Sequence, residues 1–137
     1  MPKKLTARQK LERKKEPKKV KLTHNFAGIK EGQMMYVATP MIVDDYIKTL
    51  THGEVHTIPQ FRTALAELNQ CDASCPVSTS IFIRMCAEAA IEDMKLGKAV
   101  SEVTPFWRLL TGEDKISKKL PIDPVWIDEQ RDFEKQS

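Results

Sequence analysis

The sequence has no uninterrupted apolar run near the ~20 residues a membrane-spanning helix needs, and its start is rich in lysine where a secretory leader would be apolar. A transmembrane or exported protein is therefore not expected, and a cytoplasmic one is. Cysteine is scarce and odd in number. Cys71, Cys75 and Cys86 argue for reduced thiols and against a disulfide scaffold. Only three histidines are present, His24, His52 and His56, and none is spaced to complete a four-ligand zinc site with Cys71 and Cys75. No serine, cysteine or carboxylate around His52 and His56 makes a nucleophile-and-base arrangement, so both read as turn or surface residues. Gly28-Ile-Lys-Glu-Gly32 lacks the spacing and the lysine–hydroxyl pair of a phosphate-binding loop. No metal and no cofactor is expected.

What remains is a chain of 137 residues, 41% apolar and 30% charged, a balance that fits one modest globular core. Its formal charge of +3 is unevenly placed. In residues 1–22, Lys3, Lys4, Arg8, Lys10, Arg13, Lys14, Lys15, Lys18, Lys19 and Lys21 oppose only Glu12 and Glu16, while the rest of the chain is mildly acidic. A basic arm on an acidic body suits nucleic acid, because the arm neutralises phosphates and releases their counterions. The arm, residues 5–16 above all, contains good helix formers and a possible cap at Thr6. Its few apolar residues, Leu5 and Leu11, predict a disordered or frayed segment that orders on a partner. Residues 1–33 are thus read as flexible arm and linker, and 34–137 as the folded domain.

Within the domain, Met34 to Ala38 reads as a short strand. Thr39-Pro40 opens a helix to about residue 50, with Val43, Ile47 and Leu50 inward and Asp44, Asp45 and Lys48 outward. Thr57-Ile58-Pro59 opens a second helix through Leu68, its stripe made by Phe61, Leu65 and Leu68. Cys75-Pro76 starts a third, ending before Gly97, with Ile81, Met85, Ala89 and Met94 or Ala90 facing inward and Cys86 in the core. Helix, tight connector and longer helix match a helix-turn-helix. Val103 to Leu110 carries β-forming residues around a proline and predicts a strand or wing. Residues 124–135 predict a terminal helix folded back on the core. The expected class is mainly α, of the α+β kind: a winged-helix-like domain with a short β wing.

Three groups of residues bear on function. Ser78, Thr79 and Ser80, with Arg84 one turn on, stand at the start of the long helix, where hydroxyls and free amides hold phosphates; helix capping explains the hydroxyls nearly as well. Phe106, Trp107 and Arg108 offer an aromatic face and a guanidinium to a base or phosphate, or else pack in the core. Cys75 at a helix start is a candidate nucleophile, since the helix dipole favours a thiolate.

Gly53-Glu-Val-His-Thr57 followed by Phe61 and Leu65-Ala66, and Thr104-Pro-Phe-Trp-Arg-Leu-Leu110, resemble the helix-turn-helix opening and the active-site strand of the methylated-DNA–protein cysteine methyltransferases and their inert alkyltransferase-like relatives. The likeness covers residues 36–133. Cys75-Pro-Val-Ser-Thr-Ser-Ile-Phe82 and Thr104 to Arg108 are similar to a bacterial subgroup of that family. The resemblance implies that Phe106 stands at the alkyl-accepting cysteine, Trp107 at its activating histidine, Ile58 at the base-rotating tyrosine, and Ser80 near the arginine finger. Ile58, Pro105, Phe106, Trp107 and Arg108 would then line a remnant pocket without alkyl transfer. The leading expectation is a non-catalytic DNA-binding protein that uses its helix-turn-helix and basic arm. The alternatives are an RNA- or ribosome-associated interaction protein, possible as part of a larger protein assembly, and an enzyme using Cys75.

Overall fold

The structure is a computed structural model in which residues 5–136 are described. Lys3 and Lys4 of the basic arm lie outside them. Helix α1 (Ala7–Leu11) is followed by strands β1 (Lys18–Lys21) and β2 (Met34–Val37), helices α2 (Pro40–Lys48) and α3 (Ile58–Leu68), strand β3 (Ala73–Ser74), and helices α4 (Pro76–Lys95) and α5 (Pro124–Gln136). Short 3-10 turns at Val100–Glu102, Phe106–Arg108 and Ser117–Lys119 join α4 to α5. The protein is therefore mixed α and β, mostly helical, with one three-stranded sheet. No described helix is long and apolar enough to cross a membrane.

The expected helix starts form for the expected reasons. Thr39 accepts the Ile42 amide, and Thr57 accepts that of Gln60 while the Gln60 side chain returns to the Thr57 amide. These bonds satisfy amides that the first turn leaves without partners. The main core gathers Val43, Ile47 and Leu50 of the α2 region, Phe61 and Leu65 of α3, a long stripe of α4, and Ile127 of α5.

Several placements differ from expectation. On α4 the expected Cys86, Ala89 and Ala90 are buried, but Ile83, Ala87 and Ile91 complete the inward stripe, Met85 is half-buried and Ile81 is half exposed. Two residues correspond to about 200° of helix rotation, so Ile81 and Ile83 cannot share a face. Leu68, the last residue of α3, lies outside. Asp44 is fully buried, because it shares the inward face with Pro40, Val43 and Ile47. It accepts the Thr104 hydroxyl at 2.8 Å and lies 3.0 Å from Lys48 Nζ.

The expected strand at 103–110 does not form. Phe106 and Trp107 are adjacent and both buried, which a strand with one covered face cannot achieve. Instead Arg108 donates to the Pro105 carbonyl and both Leu109 and Leu110 to that of Phe106, winding a 3-10 turn. Trp126 of α5 holds that turn, with ring centroids 5.9 Å from Phe106 and 5.7 Å from Trp107.

Nor is the arm free along its whole described length. Leu11 has no exposed surface and belongs to the main core. The amides of Ala7 and Arg8 donate to the Glu92 carboxylate at 2.9 and 3.2 Å, and the Arg8 guanidinium pairs with Asp93 at 2.5 Å. One buried leucine and a carboxylate at each of two successive α4 positions suffice where apolar content alone looked too low. β1 then pairs antiparallel with β2, placing Val20 opposite Met35 and Lys21 opposite Met34. A second small core of Leu22, Ile29, Met35 and Cys75 underlies this hairpin.

Candidate functional site

Two surfaces concentrate the residues singled out from the sequence. The first surrounds the opening of α4. Cys75 is the N-cap and provides no side-chain cap, Pro76 fills the first turn, and β3 beside them pairs parallel with β2. Ser78 and Ser80 are half-buried, and the Ser78 hydroxyl donates to the Cys75 sulfur at 3.3 Å. Thr79 is buried and is therefore no surface contact. Arg84 Nε lies 3.8 Å from Glu88 Oε1, beyond hydrogen-bond reach. Val77 and Ile81 are the exposed apolar residues of the same outer face. Of the basic arm, Lys10, Arg13, Lys14, Lys15, Lys18, Lys19 and Lys21 are exposed, but its helix α1 crosses the other end of α4, where Arg8 is spent on Asp93.

The second surface is a cleft of about 640 Å3 between the α2–α3 loop, residues 100–108 and the end of α5. Pro105, Trp107 and Arg108 line it, together with Lys48, His52 and Glu134. Ile58 and Phe106 do not; Phe106 is wholly inside the core and Ile58 packs on its edge. Thus three of the five expected pocket residues converge, and Phe106 is sealed in the core.

Glu134 ties this cleft together. It accepts the Trp107 indole N–H at 2.8 Å and the Arg108 Nη2 at 2.8 Å and Nε at 2.9 Å, and the Gly53 amide donates to it at 3.2 Å. Burial alone would raise its carboxyl, but Arg108, Trp107 and the Gly53 amide together bring it down to about 2. Arg108 spends its remaining Nη1 on the Leu50 carbonyl at 2.7 Å, and its guanidinium carbon lies 5.8 Å from the Trp107 ring centroid. Arg131 donates to the carbonyls of Trp107 and Leu110 at 3.0 and 3.1 Å. A carboxylate so strongly held as an anion is a poor proton carrier near neutral pH. The cleft offers fixed charge and aromatic surface.

Sequence reasoning missed Glu134, although a signal exists. It follows Ile127 by seven residues, two helical turns, and so falls on the inward face of α5.

Cys75 is buried, in the small core it shares with Leu22, Ile29 and Met35, and its sulfur is not open to a substrate. Burial, then the Asp44 carboxylate, push the Cys86 thiol well above its usual range, as befits a core residue. Among the described residues no group of three or more His, Cys, Asp or Glu converges as metal ligands would. His56 Nε2 faces Glu54 at 3.2 Å and His52 Nδ1 faces Glu134 at 3.8 Å. Comparison of the chain with protein-family models, with curated proteins and with solved structures finds no match in any of the three.

Proposed function

We propose that the protein is a non-catalytic nucleic-acid-binding protein, with DNA favoured over RNA, that docks through α3, its connector and α4, in the manner of a winged-helix domain related to the alkyltransferase-like proteins. The observation that carries this reading is the α3–α4 pair. Two helices with capped or proline-fixed starts are joined by seven residues that include β3, and the longer exposes Val77 and Ile81 and half-exposes Ser78 and Ser80 in its first turns. In a helix-turn-helix that exposed opening is what reaches the groove, while cations around it contact phosphates. Ser78 and Ser80 would touch the backbone, and the exposed lysines would supply salt-dependent affinity.

The cleft at Trp107, Arg108 and Glu134 does not suit transfer. No cysteine lines it, and its one buried carboxylate is locked in ion pairs. A competition binding assay tests the reading, using unmodified duplex DNA, duplex containing O6-alkylguanine, and structured RNA at two salt concentrations. Salt-sensitive duplex binding that RNA competes poorly is the expected result. Absence of binding to any of the three nucleic acids would end the proposal, and preferential RNA binding would move it to RNA.

A further inference from the structure

The arginines differ in what they have left to give. Arg8 pairs with Asp93, Arg84 faces Glu88, Arg108 is bound by Glu134, and Arg131 caps two carbonyls, while Arg13 is exposed on the surface and lines no groove among the described residues. The Arg62 guanidinium makes no hydrogen bond or ion pair among the described residues; only its backbone carbonyl is used, accepting the Ser74 hydroxyl at 2.7 Å. Arg62 lines a groove of about 410 Å3 whose other walls include Gly28 and Ile29 of the hairpin tip, Thr63 of α3, Ser74 of β3 and Pro76 of α4. The one acid lining it among the described residues, Asp72, already accepts the Met34 amide at 2.8 Å.

The hairpin that forms the outer wall is itself basic. Residues 18–33 carry Lys18, Lys19, Lys21 and Lys30 against Glu31 alone, and all four lysines are exposed. The tip is rigid in its hydrogen bonding: Phe26 and Ile29 exchange both amide–carbonyl bonds, at 2.9 and 2.8 Å, around Ala27 and Gly28. At Gly28 no atom lies within 4 Å of where a side chain would begin, so the wall is open to a ligand there. The small core of Leu22, Ile29, Met35 and Cys75 fixes the hairpin to the start of α4.

We infer that the β1–β2 hairpin is the wing of this domain, and that the groove it forms with α3 and the opening of α4 seats a phosphodiester backbone, with Arg62, which lines it, and Lys30, which follows the lining residue Ile29, as its cations. The inference rests on the nucleic-acid reading above. It replaces the wing expected at 103–110 with one that precedes the helix pair in the chain. A guanidinium with no partner among the described residues, set in a concavity, complements a phosphate's charge and its paired acceptor oxygens. An acidic protein segment would meet the same charges, and failure of the wild-type chain to bind the duplex is the outcome that would point to it.

The experiment measures binding of the full chain to a 20-base-pair unmodified duplex by fluorescence anisotropy across a salt series. It compares wild type, the double variant Lys30→Gln/Arg62→Gln, and a control, Lys95→Gln/Lys98→Gln, at the far end of α4. That helix has 20 residues, which places the control about 30 Å away. The groove variant is expected to bind roughly tenfold more weakly, with a salt slope shallower by about 2. The control should keep the wild-type slope, and both should keep the wild-type melting temperature. A groove variant with wild-type affinity and slope overturns the seat while leaving the nucleic-acid reading standing, and so does an equal loss in the control. A wild-type chain that fails to bind the duplex overturns both.

Discussion

Arg108 delivers its Nε, Nη1 and Nη2 groups to Glu134 and the Leu50 carbonyl, whereas Arg62 spends no side-chain nitrogen on the described residues. The same contrast divides the molecule. In the cleft Glu134 is buried and Arg108 largely so, and the two are paired beside the Trp107 ring. At the hairpin the charges are solvated and unpaired. Charge that a fold has neutralised serves stability, because a buried ion without its partner is strongly destabilising. Charge that it leaves exposed contributes little to stability and remains free to attract a partner. On this view the cleft is a clamp joining the α2–α3 loop, the 106–108 turn and α5, and the hairpin groove is the binding surface.

The largest effect should come from breaking the clamp. Glu134→Ala strands Arg108, the Trp107 indole and the Gly53 amide, and should lower unfolding free energy by about 3 kcal/mol or more in urea titration. Duplex affinity of the folded protein should be unchanged. The pH dependence follows with a definite sign. The Glu134 carboxyl is about 2 in the folded chain, below the ~4.3 of an unfolded glutamate. Its contribution is therefore complete above about pH 4.5 and is lost as pH falls toward 2. Stability curves of wild type and Glu134→Ala should converge over that interval.

Leu11→Ala tests whether the N-terminal helix belongs to the core. With Leu11 wholly buried against α4, a loss of about 2–4 kcal/mol is expected in chemical denaturation; a dispensable arm would show almost none. Gly112→Ala should cost about 1–3 kcal/mol in thermal unfolding. An added Cβ would lie 2.5 Å from Asp128 Oδ2 and 2.7 Å from the Pro124 carbonyl oxygen. The smallest effect belongs to the hairpin tip. Ala27 sits at φ +49°, a left-handed conformation that favours glycine. Ala27→Gly should raise stability by up to about 1 kcal/mol in the same thermal assay, without weakening duplex binding.

Much of the helical framework was legible because its signals are local. Thr39 with Pro40, and Thr57 with Gln60, specify helix starts from adjacent residues, and Val43, Ile47 and Leu50 specify a face. The errors arose where long-range contacts decide. Leu11 finds its place only because α4 presents Ala87, Ala90 and Ile91 to the core and Glu92 and Asp93 to the chain that crosses it. Residues 103–110 have β-forming composition, yet no strand pairs with them and Trp126 packs against their aromatics. Of the candidate site, Pro105, Trp107 and Arg108 were found from sequence. Glu134 lay hidden in a charged helix, and the groove at Arg62 needs the hairpin, α3 and α4 to meet.

The central claim is that the exposed cations near the helix pair bind nucleic acid while the buried ones do not. Its most direct measurement is the salt dependence of binding of the intact chain to unmodified duplex DNA. The account predicts a linear fall of log affinity with log salt, at a slope of about −3 or steeper, as several phosphate contacts require. A slope near zero, or no binding at the lowest salt, would contradict it.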